Sequence, residues 1–325
     1  MIMIEPLAVK HIEDAAALFV AAYKAQRRRF GYLPAEYEQT DAVAALLRDM
    51  LNAQAGVAAI VDRRLAGYLT GYSRIPNLKG LSQGVYVPDW GHAVAVGDSV
   101  ERVFQPMYDA MSRDWVSGGN FTHAITFWAN DTPLRDLLYW NGFGLLGIDA
   151  VRSTQQSLED NVPQISGVTV RRAQRADLPE LFRLDRELRC YMAQAPIFLA
   201  HEPSNEQEMA EAFLGQVTFS AVAEREGRLV GCIRGKLRKE DSCTSVQGES
   251  MMGIDFGYTA PEVRRTGVGE QLLAQVLAWG RERGKAGCAV DFESANVLGR
   301  HFWLKHFGAL CFSAIRFVDP RVHHQ

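Results

Sequence analysis

Ile254-Asp255-Phe256-Gly257-Tyr258-Thr259-Ala260-Pro261-Glu262-Val263-Arg264-Arg265-Thr266-Gly267-Val268-Gly269 reads as an apolar strand running into a basic, glycine-containing turn. An amphipathic helix follows: over Gly269–Arg283, residues Leu272, Leu273, Val276, Leu277 and Trp279 make a broad apolar stripe, and Gly284 suits the stop. A helix start presents unpaired backbone N–H groups and a partial positive charge, which together hold an anion. Gly267 and Gly269 let the backbone approach that anion with no Cβ in the way. Arg264 and Arg265 add fixed charge and donors shaped for phosphate oxygens. The stretch is expected to bind a phosphorylated ligand.

Working outward, the chain reads as two copies of one plan. A short strand (Met3–Ala8; Val168–Ala173) precedes a helix with a Leu-Phe pair (Leu18-Phe19; Leu181-Phe182). A second helix (Ala42–Leu51; Glu206–Leu214) and a hairpin (Gly56–Tyr72; Thr218–Leu237) come next. Each half closes with a strand, a helix and a Phe-Gly pair (Phe143-Gly144; Phe307-Gly308). The offset is 163 from Phe19 to Phe182 and 164 from Phe143 to Phe307, which argues for an internal repeat. Between the halves, 153–167 is polar, carries Pro163 and Gly167, and reads as a linker. The expected division is 1–155, a linker at 156–167, and 168–325. Hairpins interspersed with helices predict an α/β (α+β) fold, a mixed, mostly antiparallel sheet flanked by helices in each half.

Composition bounds the function. The 325 residues suit two domains, 47% hydrophobic and 22% charged content suits a globular protein, and every apolar run stops short of a membrane span. A net charge of -3 and the absence of a signal-peptide pattern at Met1–Glu5 point to no nucleic acid, no membrane and a cytoplasmic setting. Five cysteines (Cys190, Cys232, Cys243, Cys288, Cys311) form no C-x-x-C pair and read as reduced thiols, with no metal site expected. His92, His123, His201, His301 and His306 show no metal spacing either, and His323-His324 lies on a tail.

Two phosphate-binding alternatives fail on residues. A dinucleotide fingerprint needs a third glycine where Leu272 stands, and a nucleotide-triphosphatase loop needs Gly-Lys-Ser/Thr. The R-x-x-G-x-G turn after Pro261-Glu262, with its strand, its helix, a second strand (Cys288–Phe292), Asn296 and a helix carrying Phe302-Trp303, resembles the GNAT superfamily of N-acetyltransferases. The element order of 168–318 resembles that superfamily throughout. The resemblance implies acetyl-CoA as co-substrate and two acyl-CoA N-acyltransferase domains in tandem. Its pyrophosphate would lie on Arg264, Arg265, Thr266, Gly267, Val268 and Gly269. Its pantetheine arm would pair with Gly257, Tyr258 and Thr259, one of which would also supply an oxyanion donor, and would touch Asn296 from the next strand. In the superfamily these two strands splay apart around the cofactor. A glycine within a strand often marks a bulge or a close approach, which singles out Gly257.

A thioester is already activated, so a neutral amine can attack directly, and a carboxylate base is useful because alkylamines are protonated near neutrality. Candidates are Asp255 and Glu249, read as sharing a face of the strand before the turn, and Glu293 at the end of the next strand. Where many members of the superfamily place a tyrosine as acid near the sulfur, this chain has Trp303, and indole cannot deliver a proton.

The first half lacks the turn. Val96-Gly97-Asp98-Ser99-Val100-Glu101 is followed by Arg102-Val103-Phe104-Gln105-Pro106, with no further glycine before Ser117. Asp98 or Ser99 can cap this helix, and Asp98 and Glu101 put negative charge where a phosphate would sit. Pro106 marks a kink or the true start. This half resembles a degenerate GNAT domain and is expected to bind no acetyl-CoA. The run Arg27-Arg28-Arg29 reads either as an anion site or as a helix end complementing its dipole, and Tyr86–His92 as an aromatic loop that lines a cleft or packs. The expected activity is acetyl transfer to a small-molecule or peptide amine, the alternative a non-catalytic CoA-binding or regulatory module. A third reading, acylation with a longer chain or by an aminoacyl donor, would need a wider slot. Acceptor choice is expected in the loops Tyr191–Asn205 and Lys239–Glu249, and the first half would shape the acceptor cleft or a homodimer surface.

Overall fold

The computed structural model describes residues 2–158, 165–200, 205–238 and 242–324. Part of the expected linker (159–164), parts of the two acceptor loops (201–204 and 239–241), and His201 lie outside the described residues, as do the side chains of His323 and His324.

The first half runs β1 (Ile2–Pro6), α1 (Ile12–Arg29), α2 (Thr40–Ala53), β2 (Gly56–Val61), β3 (Arg64–Thr70), β4 (Tyr72–Ile75) and β5 (Gly84–Val87). It continues through β6 (His92–Val94), α3 (Val100–Ser117), β7 (Thr122–Trp128), α4 (Thr132–Trp140) and β8 (Gly144–Ser153). The second half runs β9 (Thr169–Arg172), α5 (Leu178–Met192), α6 (Glu206–Leu214), β10 (Thr218–Arg225) and β11 (Arg228–Lys236). After these come β12 (Met251–Thr259), α7 (Val268–Glu282), β13 (Gly287–Glu293), α8 (Val297–His306) and β14 (Gly308–Phe317). By packing, one unit comprises Met1–Asp149, Cys243–Ser245 and Ala309–Gln325, the other Ala150–Ser242 and Val246–Gly308.

The repeat is visible in backbone detail. The β2–β3 hairpin turns through Asp62 (φ 48) and Arg63 (φ 64), the β10–β11 hairpin through Glu226 (φ 54) and Gly227 (φ 75). Two successive positive φ values match the right-handed twist of the flanking strands. Each hairpin then bulges, at Ala59/Ile60 and at Ala223/Glu224, 164 residues apart in each case.

In the first unit β1-β2-β3-β6 form one sheet and β4-β5-β7-β14 another. Their core is Val57, Leu69, Val85, Phe104, Met107, Met111 and Phe127 with their neighbours. Helix α3 buries one face: Val103, Phe104, Met107, Met111 and Trp115. Ser99 caps it, accepting from the Arg102 N–H at 3.3 Å, so Pro106 lies inside the helix and does not begin it.

The second unit carries β13-β12-β11-β10-β9. Helices α5 and α6 cover one face through Leu181, Leu184, Met209 and Phe213, packed with Cys232, Phe256 and Tyr258. Helix α7 covers the other, Leu272 over Gly231 and Val276 over Gly235. Its stripe residues Leu272, Leu273, Val276, Leu277 and Trp279 are all buried, and Gly284 (φ 72) ends it. Asp177 stands at the N-cap of α5, yet its carboxylate accepts from Gln174 N–H (2.7 Å) and from Arg171. Only β12–β13 is parallel among the pairings described in this unit; β5–β7 is its counterpart in the first.

Candidate active site

Strands β12 and β13 stay paired from Met251↔Gly287 to Ile254↔Val290, and no further. The cause is local. Between Arg234↔Phe256 and Gly235↔Ile254 the register with β11 slips, leaving Asp255 as the extra residue of a bulge. A bulge raises the twist and turns the strand away from its neighbour. Gly257 was read as marking a bulge or a close approach; the bulge itself forms two residues earlier, at Asp255. Beyond it, β12 keeps its bonds to β11 and leaves a gap toward β13. Ala260 donates its N–H to Val230 (2.8 Å), so alternation turns the amide groups of Gly257 and Thr259 toward that gap.

The turn that follows is tied down by two of its side chains. Arg264 Nε donates to the Thr259 carbonyl (3.1 Å), and its guanidinium lies 5.5 Å from the Tyr191 ring and 5.7 Å from that of Tyr258. Thr266 Oγ1 donates to the Val263 carbonyl at 2.7 Å. Arg265 (φ 63) is exposed, and Gly267 (φ 100) takes a backbone conformation that a side chain disfavours. Gly267 is the N-cap of α7 and provides no side-chain cap, so the first-turn amides keep their hydrogen-bonding capacity. Gly269 answers to packing as well: a Cβ there would stand 2.9 Å from Phe302 of α8.

Together these elements line a cleft of about 740 Å³ within the second unit. Of the residues expected to hold the cofactor, Gly257, Tyr258, Thr259, Arg264, Arg265, Gly267, Gly269, Asn296 and Trp303 line it. Thr266 and Val268 do not: Thr266 faces solvent and the Val268 side chain is fully buried under α7. Asn296 is the N-cap of α8, its Oδ1 accepting from Gly299 N–H (2.9 Å) and from the Tyr191 hydroxyl (3.1 Å). Tyr258 packs its ring into the core, and burial pushes its phenol up.

Sequence reasoning missed several lining residues. Leu188 and Tyr191 come from α5, Ile233 from β11, and Leu298, His301, Phe302 and Lys305 from α8. The α8 set follows helical spacing (i, i+3, i+4, i+7), a stripe that was legible. Glu270 also lines the cleft and pairs with Lys305 at 2.8 Å. Burial works against its charge, but Lys305 outweighs it and holds the carboxyl below the ordinary range. Arg264, Arg265, His301 and Lys305 give the cleft its basic side.

The three candidate bases lie elsewhere; none lines the cleft. Asp255 is clamped by Arg234 (2.7 Å) and Lys236 (2.6 Å). Burial would raise its pKa, yet the two cations win and hold it below the usual carboxylate value, the opposite of what a base needs. Glu249 precedes β12, is exposed and pairs with Arg238, so the expectation that it shares a strand face with Asp255 fails. Glu293 ends β13, half-buried.

In the first unit the corresponding strand breaks into β5 and β6. Asp89, in the break, is buried and accepts from the N–H groups of Thr244 and Ser245 (3.1 Å each) and from the Ser245 hydroxyl. Trp90 is buried and its Nε1 donates to Thr244 Oγ1 (3.1 Å), so the aromatic loop packs. Cys243 and Cys311, both free and buried, stand within 4.8 Å of Asp89, a grouping their sequence spacing does not suggest. Backbone N–H groups already engage both Asp89 oxygens. Asp98 pairs with Arg64 at 2.7 Å beside the start of α3. Arg27 of the triple-arginine run pairs with Glu38 (2.6 Å), on the last turn of α1.

Comparison with known proteins follows the same division. The model of the acetyltransferase (GNAT) family matches residues 184–309. No match is found among curated proteins. A GCN5-related N-acetyltransferase from Sphaerobacter thermophilus shares the fold over 97% of this chain and 95% of its own, with TM-score 0.55 and 15% identity. A tandem GNAT protein from the clavulanic acid biosynthesis pathway covers 98% of both chains, with TM-score 0.49 and 13% identity. Among the described residues no helix is long and apolar enough to cross a membrane. Residues 184–309 are thus an acetyltransferase (GNAT) family domain, carried in a chain whose fold is two GNAT-like halves in tandem.

Proposed function

We propose that the second unit binds acetyl-CoA in this cleft and transfers its acetyl group to an amine of a small molecule or peptide. One observation carries the proposal: the uncapped amides at the start of α7 open onto the same cleft as the gap between β12 and β13. A pyrophosphate suits the amides and the partial positive charge of the helix start. An extended diamide arm suits the outward amides of Gly257 and Thr259, as an added strand suits a sheet edge. The Gly257 N–H would then polarise the thioester carbonyl. The amine attacks the carbonyl carbon, the C–S bond breaks, the proton shed by the nitrogen passes to water, and the thiolate departs unaided because its conjugate thiol has a pKa of about 8.5. Trp303 contributes no proton. Asp255 holds the bulge in this reading, and does not act as base.

The first unit takes no acetyl-CoA in this proposal, its strand break being filled by Trp90 and by Asp89 with its partners. Reduced buried thiols fit a cytoplasmic setting. A second reading, a non-catalytic CoA-binding module, is favoured by the position of the three carboxylates outside the cleft lining. Calorimetric titration with acetyl-CoA, followed by thiol release over classes of amine, tests both. One site per chain and amine-dependent thiol release are expected; saturable binding without release from any amine selects the module, and no binding removes the proposal.

A further inference from the structure

Gly257 and Trp303 fit each other as a pair. A Cβ on Gly257 would stand 2.8 Å from Cζ2 of the indole, closer than real side chains come, and 3.4 Å from Cη2. The ring therefore lies directly on the β12 backbone, in space that a side chain at 257 would fill. It is held there firmly: Phe302 meets it edge-on at 4.9 Å and Phe307 at 5.7 Å, and only 8% of the residue is exposed. The same Gly257 turns its N–H into the gap between β12 and β13, past their last pair at Ile254↔Val290. A thioester carbonyl bonded to that N–H would have its acyl group beside a flat, immobile indole.

We infer that Trp303 sets the acyl length, admitting acetyl and rejecting longer chains. The inference rests on the acetyl-CoA reading above and adds to it the residue that enforces the two-carbon limit. A methyl group needs no room beyond van der Waals contact with the ring. Each further methylene must displace an indole wedged between a backbone and two phenylalanines, and cores packed this closely yield little. One surplus methylene in a shaped apolar pocket is worth about 10-fold or more in discrimination.

The test is the ratio of dissociation constants for acetyl-, butyryl- and octanoyl-CoA, measured by calorimetry on the full chain, with free CoA alongside. The wild type is expected to bind butyryl-CoA, two methylenes longer, about 100-fold more weakly than acetyl-CoA, and octanoyl-CoA more weakly still. In Trp303→Leu the ratios should fall to within about threefold of one, since a flexible aliphatic side chain opens the wall. Equal wild-type affinities for the three thioesters would overturn the inference, with no need of a variant. Ratios unchanged in a folded Trp303→Leu would overturn it too. Failure of free CoA and every thioester to bind would remove the acyl-CoA reading itself, and the inference with it.

Discussion

At the same point of the repeat the two units solve one strand differently. In the second, two residues, Asp255 and Phe256, separate the last β13 partner (Ile254) from Gly257, which pairs with Ile233. In the first, four residues, Pro88 to Gly91, separate Val87 from His92, which pairs with Leu69, 164 positions before Ile233. Two residues make a bulge that leaves the strand whole and a gap open. Four residues break the strand, and the break fills with Trp90 and a buried Asp89. The helix that follows differs in parallel: Gly267 leaves the α7 amides uncapped, whereas Ser99 caps α3 and Asp98 adds negative charge. A site of this kind needs an unfinished edge. The second unit keeps one and the first has closed it.

The largest effect should come from closing the second unit's helix start. Gly269→Glu puts a carboxylate among the amides and a side chain against Phe302, and acetyl-CoA affinity by calorimetry should fall about a thousandfold. Retained affinity would place the binding elsewhere. Next, Asp255→Ala strands Arg234 and Lys236 without their shared anion, and urea unfolding should show a loss of about 3 kcal/mol. If Asp255 were instead the base, stability would hold and only the pH profile of thiol release would move. A milder graft, Thr266→Asp, carries the charge of Asp98 into the second unit at an exposed position. It should weaken acetyl-CoA roughly tenfold while costing only the Thr266–Val263 hydrogen bond, about 1 kcal/mol of stability, and unchanged affinity would show that helix-start charge is not what separates the units.

The smallest effect is a difference in pH response. Asp255 has a folded pKa below its unfolded one, so its stabilisation is present above about pH 4 and is lost as pH falls through the folded value. Burial raises Asp89, so its contribution is complete below the unfolded pKa and declines as pH rises through the folded value. Hydrogen exchange resolved by unit between about pH 3 and 7 should show opposite slopes. Asp89→Asn should flatten the slope in the first unit alone; identical slopes in both units would contradict the assignment.

Much of this was legible because it is local. The hairpin turns, the α7 stripe and the glycine turn each depend on residues within a few positions of one another, where backbone conformation is decided by the chain itself. The α8 lining residues Leu298, His301, Phe302 and Lys305 were equally local and were overlooked. Asp255 looked like a base because nothing in its neighbourhood along the chain reveals Arg234 and Lys236, which reach it across the β11–β12 ladder. Gly257 was read as a bulge or a close approach, and the partner it makes room for, Trp303, lies 46 positions later.

By itself the amino-acid sequence determined the doubled plan, the strand–turn–helix with its bare amides, and the lapse of that turn in the first copy. Those follow from periodicity and from which residues tolerate which backbone angles. Only the tertiary structure decided that Cys243–Ser245 and Ala309–Gln325 pack with the first unit, where β14 pairs with β7 from Cys311↔Trp128 to Phe317↔Thr122. It alone decided which carboxylates are neutralised and which ring packs on Gly257. Partners in such contacts lie tens to hundreds of residues apart, and the hydrophobic pattern that brings their strands together is indifferent to which polar groups meet there.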